Sequence, residues 1–180
     1  MDLTSLETSV QVSPEVDLTL RLARESDLPE LDRLMKVCAD WLEAEGYSHW
    51  KVYQSGSQSE QDVEAHKVYC AFDGDSSIVA TFTLSHDSPP YAQGSFDPYW
   101  EDPQATARFF KKMAVHPDFH GQGIGKALLT EAESISRSQG AKYLRLDINP
   151  GIPWLGDYYQ RLGFAHRGDL LAGIIFEKML

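Results

Sequence analysis

The stretch "AVHPDFHGQGIGKALLTEAE", Ala114–Glu133, places Gly121, Gly123 and Gly125 at alternate positions. An apolar run, "ARFFKKMAV" (107–115), reads as the strand before it. The helix after it carries Ile124, Leu128, Ala132 and Ile135 on one face and stops at Gly140. A helix N-terminus exposes unpaired N–H groups and a partial positive charge, so anions bind there. Glycines let the backbone approach a bulky phosphate with no Cβ in the way. The segment "HGQGIGK", His120 to Lys126 through Gln122 and Ile124, therefore reads as a phosphate cradle. A plain turn with no ligand accounts for one glycine, not three. Lys126 is a solvated helix lysine or an added charge on the cradle.

Two familiar cradles fail on residues their chemistry needs. The Walker pattern requires a glycine where His120 stands, and Ser or Thr where Ala127 stands. The dinucleotide fingerprint, counted from Gly121 and Gly123, requires its third glycine where Lys126 stands.

Outward from the cradle, the pattern is mixed α/β. Residues 1–17 read as a flexible tail, and 18–180 as a single domain. "LTLRLAR" alternates Leu18, Leu20 and Leu22, a strand with one buried face. A helix follows over "ESDLPELDRLMKVCADWLEAEG", with Asp27 and Glu30 as a capping box, Pro29 in the first turn and Gly46 past the end. Its stripe is Leu28, Leu31, Met35, Cys38 and Leu42. A short helix is expected near "SEQDVEAHK", and "VYCAF-DGDSS-IVATFTLS" reads as a hairpin. Residues 86–106 hold four of the nine prolines together with Tyr91, Phe96, Tyr99 and Trp100. A loop that long is either functional or a cover for a sheet edge. Then come "YLRLDI", a strand with Leu144, Leu146 and Ile148 inward; "PWLGDYYQRLGF", a short helix from Pro153 to Gly163; and a last strand, "GIIFEKML".

The 180 residues carry a formal net charge of −11, which argues against nucleic-acid binding and suits a cationic substrate. No apolar run reaches membrane-spanning length, and the first residues lack the pattern of a signal peptide. Cys38 and Cys70 read as reduced core thiols of a cytoplasmic protein. No His/Cys/Asp/Glu spacing suggests a metal site.

Val115, His116 and Pro117 followed by "DFHGQGIGKALL" resemble the pyrophosphate loop of the GNAT superfamily of N-acyltransferases. Gly123 and Gly125 occupy the loop's glycine positions, and His120 stands where Arg or Gln is usual. Downstream, Tyr159, Gly163 and Phe164 match a Y-x-x-x-G-F signature. Ile152 stands where many members carry Asn; Asn149, at the strand end, is the nearby alternative. The resemblance implies a mostly antiparallel central sheet flanked by helices, whose fourth and fifth strands splay. It implies acetyl-CoA as cosubstrate, with pantetheine held by the backbone of Met113, Ala114 and Val115, and pyrophosphate by the amides of Gly121 to Lys126. It implies transfer of acetyl to a primary amine of a small molecule or peptide by direct attack in a ternary complex. Tyr159 is then the acid that protonates the leaving thiolate, or a packing residue beside Leu155, Tyr158 and Leu162. For the base, Asp147, Glu101, Asp97 and His86 stand open, each equally readable as a solvated surface group. The acceptor side falls to residues 47–66 and 86–106. A non-catalytic acyl-CoA-binding module is the alternative function, an interaction domain a third, and a homodimer one of the oligomeric states the family allows.

Overall fold

The computed structural model describes residues 7–14, 16–55, 59–74, 77–92, 94–171 and 173–180. Residues 1–6 of the expected tail and 75–76 of the expected hairpin turn lie outside that set. The strands are β1 (Thr8–Ser13), β2 (Val16–Leu22), β3 (Val68–Asp73), β4 (Ser77–Ser85), β5 (Ala107–Val115), β6 (Tyr143–Ile148), β7 (Ala165–Leu170) and β8 (Gly173–Met179). The helices are α1 (Leu28–Ala44), α2 (Glu60–Glu64), α3 (Ile124–Ser138) and α4 (Pro153–Arg161). They flank one mostly antiparallel sheet with strand order β1-β2-β3-β4-β5-β6-β8-β7, the expected mixed α/β class. The chain packs as two compact units, one of residues 1–83 and 112–131, the other of 84–111 and 132–180.

The first unit builds on β2, whose Leu18, Leu20 and Leu22 are all buried, as their alternation predicts. Helix α1 lays Leu31, Leu34, Met35 and Cys38 on a core that includes Ala23, Val63, Val68, Phe72, Ile78 and Ala114. Its start differs from the expected capping box. The Asp27 carboxylate accepts from the Arg24 N–H at 2.7 Å and from both Arg21 nitrogens at 2.6 and 3.0 Å. Two guanidinium donors outcompete the helix N–H groups for that carboxylate. One expectation is also corrected at the N-terminal edge. Thr8–Ser13, counted in the flexible tail, is strand β1, paired antiparallel to β2 from Thr8↔Leu20 to Ser13↔Val16.

The second unit contains a strand the sequence reading lacks, β7, paired antiparallel to β8. It also corrects the account of β6. Tyr143, Leu144, Arg145 and Leu146 are all buried, so β6 is covered on both faces rather than one. The cover on the Tyr143–Arg145–Asp147 face comes from the 86–106 loop. Ala92, Phe96 and Trp100 form a core with Phe109 and Ile175, and the Arg145 guanidinium lies over the Trp100 ring at 4.7 Å. Arg145 donates to Glu177 at 2.9 Å, and Arg167 donates to the other oxygen of Glu177 at 3.0 Å. Glu177 is 1% exposed. Strands β5 and β6, the fourth and fifth foreseen from sequence, run parallel and pair from Ala107↔Tyr143 to Phe109↔Arg145.

This loop is therefore part of the core. Phe96→Ala should destabilise the protein by about 3 kcal/mol, the usual loss for truncating a buried phenylalanine, measured by urea unfolding. A change below about 0.5 kcal/mol, typical of a surface site, would make the loop a detachable cover.

Candidate active site

The cradle lies wholly in the first unit. Strand β5 reaches it through a break in its own geometry: Lys112 has φ 53°, the left-handed region, rare for a non-glycine residue. Its ammonium is held by Asp62 at 2.7 Å. Beyond this kink Met113, Ala114 and Val115 complete the strand, and the His116 N–H donates to the Val79 carbonyl at 2.8 Å. Pro117–Phe119 form a single 3-10 turn, capped by the His116 ring accepting from the Asp118 N–H at 3.2 Å. His116 thus closes the strand.

His120 braces the loop. Its Nε2 lies 2.8 Å from the Val115 carbonyl, its N–H donates to the Pro117 carbonyl at 3.0 Å, and its ring meets Trp41 edge-on at 4.7 Å. Cys38 Sγ also approaches the Val115 carbonyl, at 3.3 Å. Gly121 and Gly123 follow with φ 78° and 86°. These values favour glycine, because a Cβ there crowds the backbone. A Cβ added at Gly121 would meet nothing within 4 Å, and one at Gly123 only Val12 at 3.8 Å. The space over the glycines is open.

Helix α3 begins at Ile124, and its first closing bond runs from the Ala127 N–H to the Gly123 carbonyl at 3.1 Å. Among the described residues, no acceptor meets the N–H groups of Gly123, Ile124, Gly125 or Lys126. These are the orphan donors of a helix start. Gln122 reaches the Asp118 carbonyl only at 3.4 Å, and the Lys126 side chain is exposed. The local fit to a phosphate group is good: glycine φ values, no Cβ in the way, and unpaired donors on the positive end of a helix. Val12, Trp41 and Cys38 shape the cradle, and sequence reading had no motif to find them.

The remaining candidate residues belong to the second unit. Tyr159 is 5% exposed and packs its ring against Tyr158, Phe164 and Phe176. Burial raises its phenol well above the ordinary value, and Tyr158 and Asp147 add to the rise. It stays protonated throughout the neutral range. Asn149 turns back on its own strand end, its Oδ1 accepting from the Gly151 N–H at 2.8 Å.

Three of the four base candidates are engaged elsewhere or exposed. Glu101 pairs with Arg167, the His86 Nδ1 lies 2.6 Å from the Arg108 guanidinium, and Asp97 is exposed at the start of a 3-10 turn. Asp147 departs from its reading as a solvated group. It is half-buried, both its oxygens accept from the Tyr91 hydroxyl at 3.0 and 2.8 Å, and burial pushes its carboxyl above the usual range.

The Acetyltransferase (GNAT) domain family matches residues 64–166. The uncharacterized N-acetyltransferase YesJ of Bacillus subtilis (strain 168) is 24% identical over 156 residues, 84% of each chain. An acetyltransferase of the GNAT family from Listeria monocytogenes 4b F2365 superposes with a TM-score of 0.80, at 20% identity, over 96% of this chain and 100% of its own. The PaiA N-acetyltransferase of Thermoplasma acidophilum, solved in complex with coenzyme A, superposes with a TM-score of 0.68, at 20% identity, over 92% and 100%. The chain belongs to the GNAT superfamily and is an N-acetyltransferase.

Gly123→Val combines a β-branched side chain with a left-handed φ. It should cost about 1–3 kcal/mol of stability and lower coenzyme A affinity at least tenfold by calorimetry. Unaltered affinity would separate the loop from the cosubstrate. Burial also pushes both Cys38 and Cys70 up to about 12. Neither thiol should react with an aromatic disulfide reagent at pH 8 in the folded protein, and both should react in urea.

Proposed function

We propose that the protein transfers the acetyl group of acetyl-CoA to a primary amine of a small molecule or peptide, by direct attack within a ternary complex. The observation that carries this reading is the row of unpaired N–H groups from Gly123 to Lys126, next to glycines where a Cβ would meet no backbone. In the family that is the place for the pyrophosphate. Gly121 and Gln122 complete the turn, and His120 holds its shape. The backbone of Met113, Ala114 and Val115 is assigned to the pantetheine arm, and Asn149 to cosubstrate binding.

In the reaction, the neutral amine nitrogen forms a bond to the thioester carbonyl carbon. Negative charge on the carbonyl oxygen is met by a backbone N–H near Val115. The carbon–sulfur bond then breaks, Tyr159 gives its proton to the departing thiolate, and the acylated nitrogen sheds its extra proton to the phenolate, which restores Tyr159. A phenol kept protonated by burial suits that step, since a group already ionised at working pH has no proton to give. The retained Tyr159 favours an enzyme over an acyl-CoA-binding module without turnover. The cytosol suits a protein whose two cysteines are free and buried. No helix among the described residues is long and apolar enough to cross a membrane.

Calorimetric titration with acetyl-CoA, ATP and NADH tests the reading. Acetyl-CoA should bind and the other two should not; failure of acetyl-CoA to bind overturns it. Tyr159→Phe should lower kcat by about 100-fold, within the usual range for a lost general acid, with acetyl-CoA affinity changed less than twofold. Unchanged turnover removes Tyr159 from the mechanism.

A further inference from the structure

Among the described residues two non-glycines take a left-handed φ, His66 at 52° and Lys112 at 53°. His66 has a local reason. It lies just past the end of α2, where the chain turns as a helix cap. The His66 N–H donates to the Val63 carbonyl at 2.9 Å, and the Lys67 N–H to the Asp62 carbonyl at 2.9 Å. Lys112 has no such reason, since it lies inside β5. A left-handed lysine within a strand costs energy and persists only where its surroundings hold it. Its side chain is held by Asp62, whose carboxylate accepts from the ammonium at 2.7 Å, with both groups half-buried. The ammonium also lies 6.0 Å from the centre of the Tyr53 ring, within cation–π reach.

Asp62 is itself well fixed. Its carbonyl is bound by the cap of α2, and the next residue, Val63, is buried in the core cluster that contains Ala114. Tyr53 packs against the same cluster. All of these residues lie in the first unit. Helix α2 and the stretch of β5 beyond the kink thus share one core, and the Asp62–Lys112 pair ties them together at the kink itself.

We propose that Asp62 is a positioning residue for acetyl-CoA: through Lys112 it holds the kink that sets the direction of the Met113–Val115 backbone. This rests on the acetyl-transfer reading above, which gives that backbone to the pantetheine arm and an N–H near Val115 to the carbonyl oxygen. Asp62 acts through the main chain and not by contact with the cosubstrate. The kink predicts its own rescue. Glycine takes a left-handed φ without strain and needs no side chain to hold it there. Asp62→Ala should therefore weaken acetyl-CoA binding about tenfold, a part of the roughly 100-fold that a misplacement of about 1 Å can cost. Adding Lys112→Gly to that variant should bring the affinity back to within about threefold of wild type, because the glycine keeps the kink unaided.

Calorimetric titration of the full chain with acetyl-CoA reads both effects. It is done well below the melting temperature of every variant, where a contact that only stabilises the fold leaves affinity untouched. Glu64→Ala, at an exposed carboxylate of the same helix, is the control and should bind as wild type does. Should Asp62→Ala fail to fold, Asp62→Asn keeps the side-chain shape, loses the charge and carries the same test. Amide hydrogen exchange at Met113, Ala114 and Val115, measured without ligand, should quicken in Asp62→Ala and slow again in the double variant. Wild-type affinity in Asp62→Ala, unaltered exchange, or no recovery with Lys112→Gly overturns the proposal and leaves the acetyl-transfer reading standing. Failure of the wild-type chain to bind acetyl-CoA sinks that reading and the proposal together.

Discussion

The second unit is organised around one carboxylate taken out of water. Glu177 sits in the middle of β8, and every strong donor near it is spoken for by that position. Arg145 reaches it from β6, Arg167 from β7, and the Glu101 N–H donates to it at 3.1 Å from the long loop. Removing any partner would leave a buried charge incompletely matched, which costs several kcal/mol. Two strands and a loop are thereby held to one point on the sheet. The aromatic rings of the loop then close over the same face, with Trp100 against Arg145 and Tyr99 packed so tightly on Gly168 that a Cβ there would lie 2.6 Å from its ring. Glycine at 168 is a matter of space, since its backbone needs no unusual angle.

This network explains where sequence reading stopped. Periodicity found β2, α1, α3 and α4, because their burial is decided by their own apolar spacing. It missed β7, "AHRGDL", which has no apolar alternation and is a strand by virtue of pairing with β8. It missed β1 because only Val10 of that strand is buried. The alternating Thr8, Val10 and Val12 were the signal available. For β6 the alternation was correct, but its inference was not. Asp147 does point away from Leu146 and Ile148, yet that face is not solvent, since Tyr91 crosses 56 residues of sequence to meet it. Local pattern says which face a residue takes and cannot say what a distant loop lays over that face.

The motif residues divide along similar lines. The glycines of the loop were legible because their requirement is local: a positive φ and an absent Cβ can be read from residue type and spacing. The bracing of His120 by Trp41 and the Val115 carbonyl was not legible, because it depends on how α1 and β5 lie together within the first unit.

The donor groups at Gly123, Ile124, Gly125 and Lys126 belong to the main chain. A peptide N–H neither gains nor loses a proton anywhere in the physiological range, and it is present whatever side chain the residue carries. A surface written in such groups is indifferent to acidity and nearly blind to substitution, provided the two glycine conformations survive. Ionisable side chains such as Asp147 and Tyr159 have neither immunity. Drift in sequence can therefore change the ionisable side chains long before it changes what the loop presents.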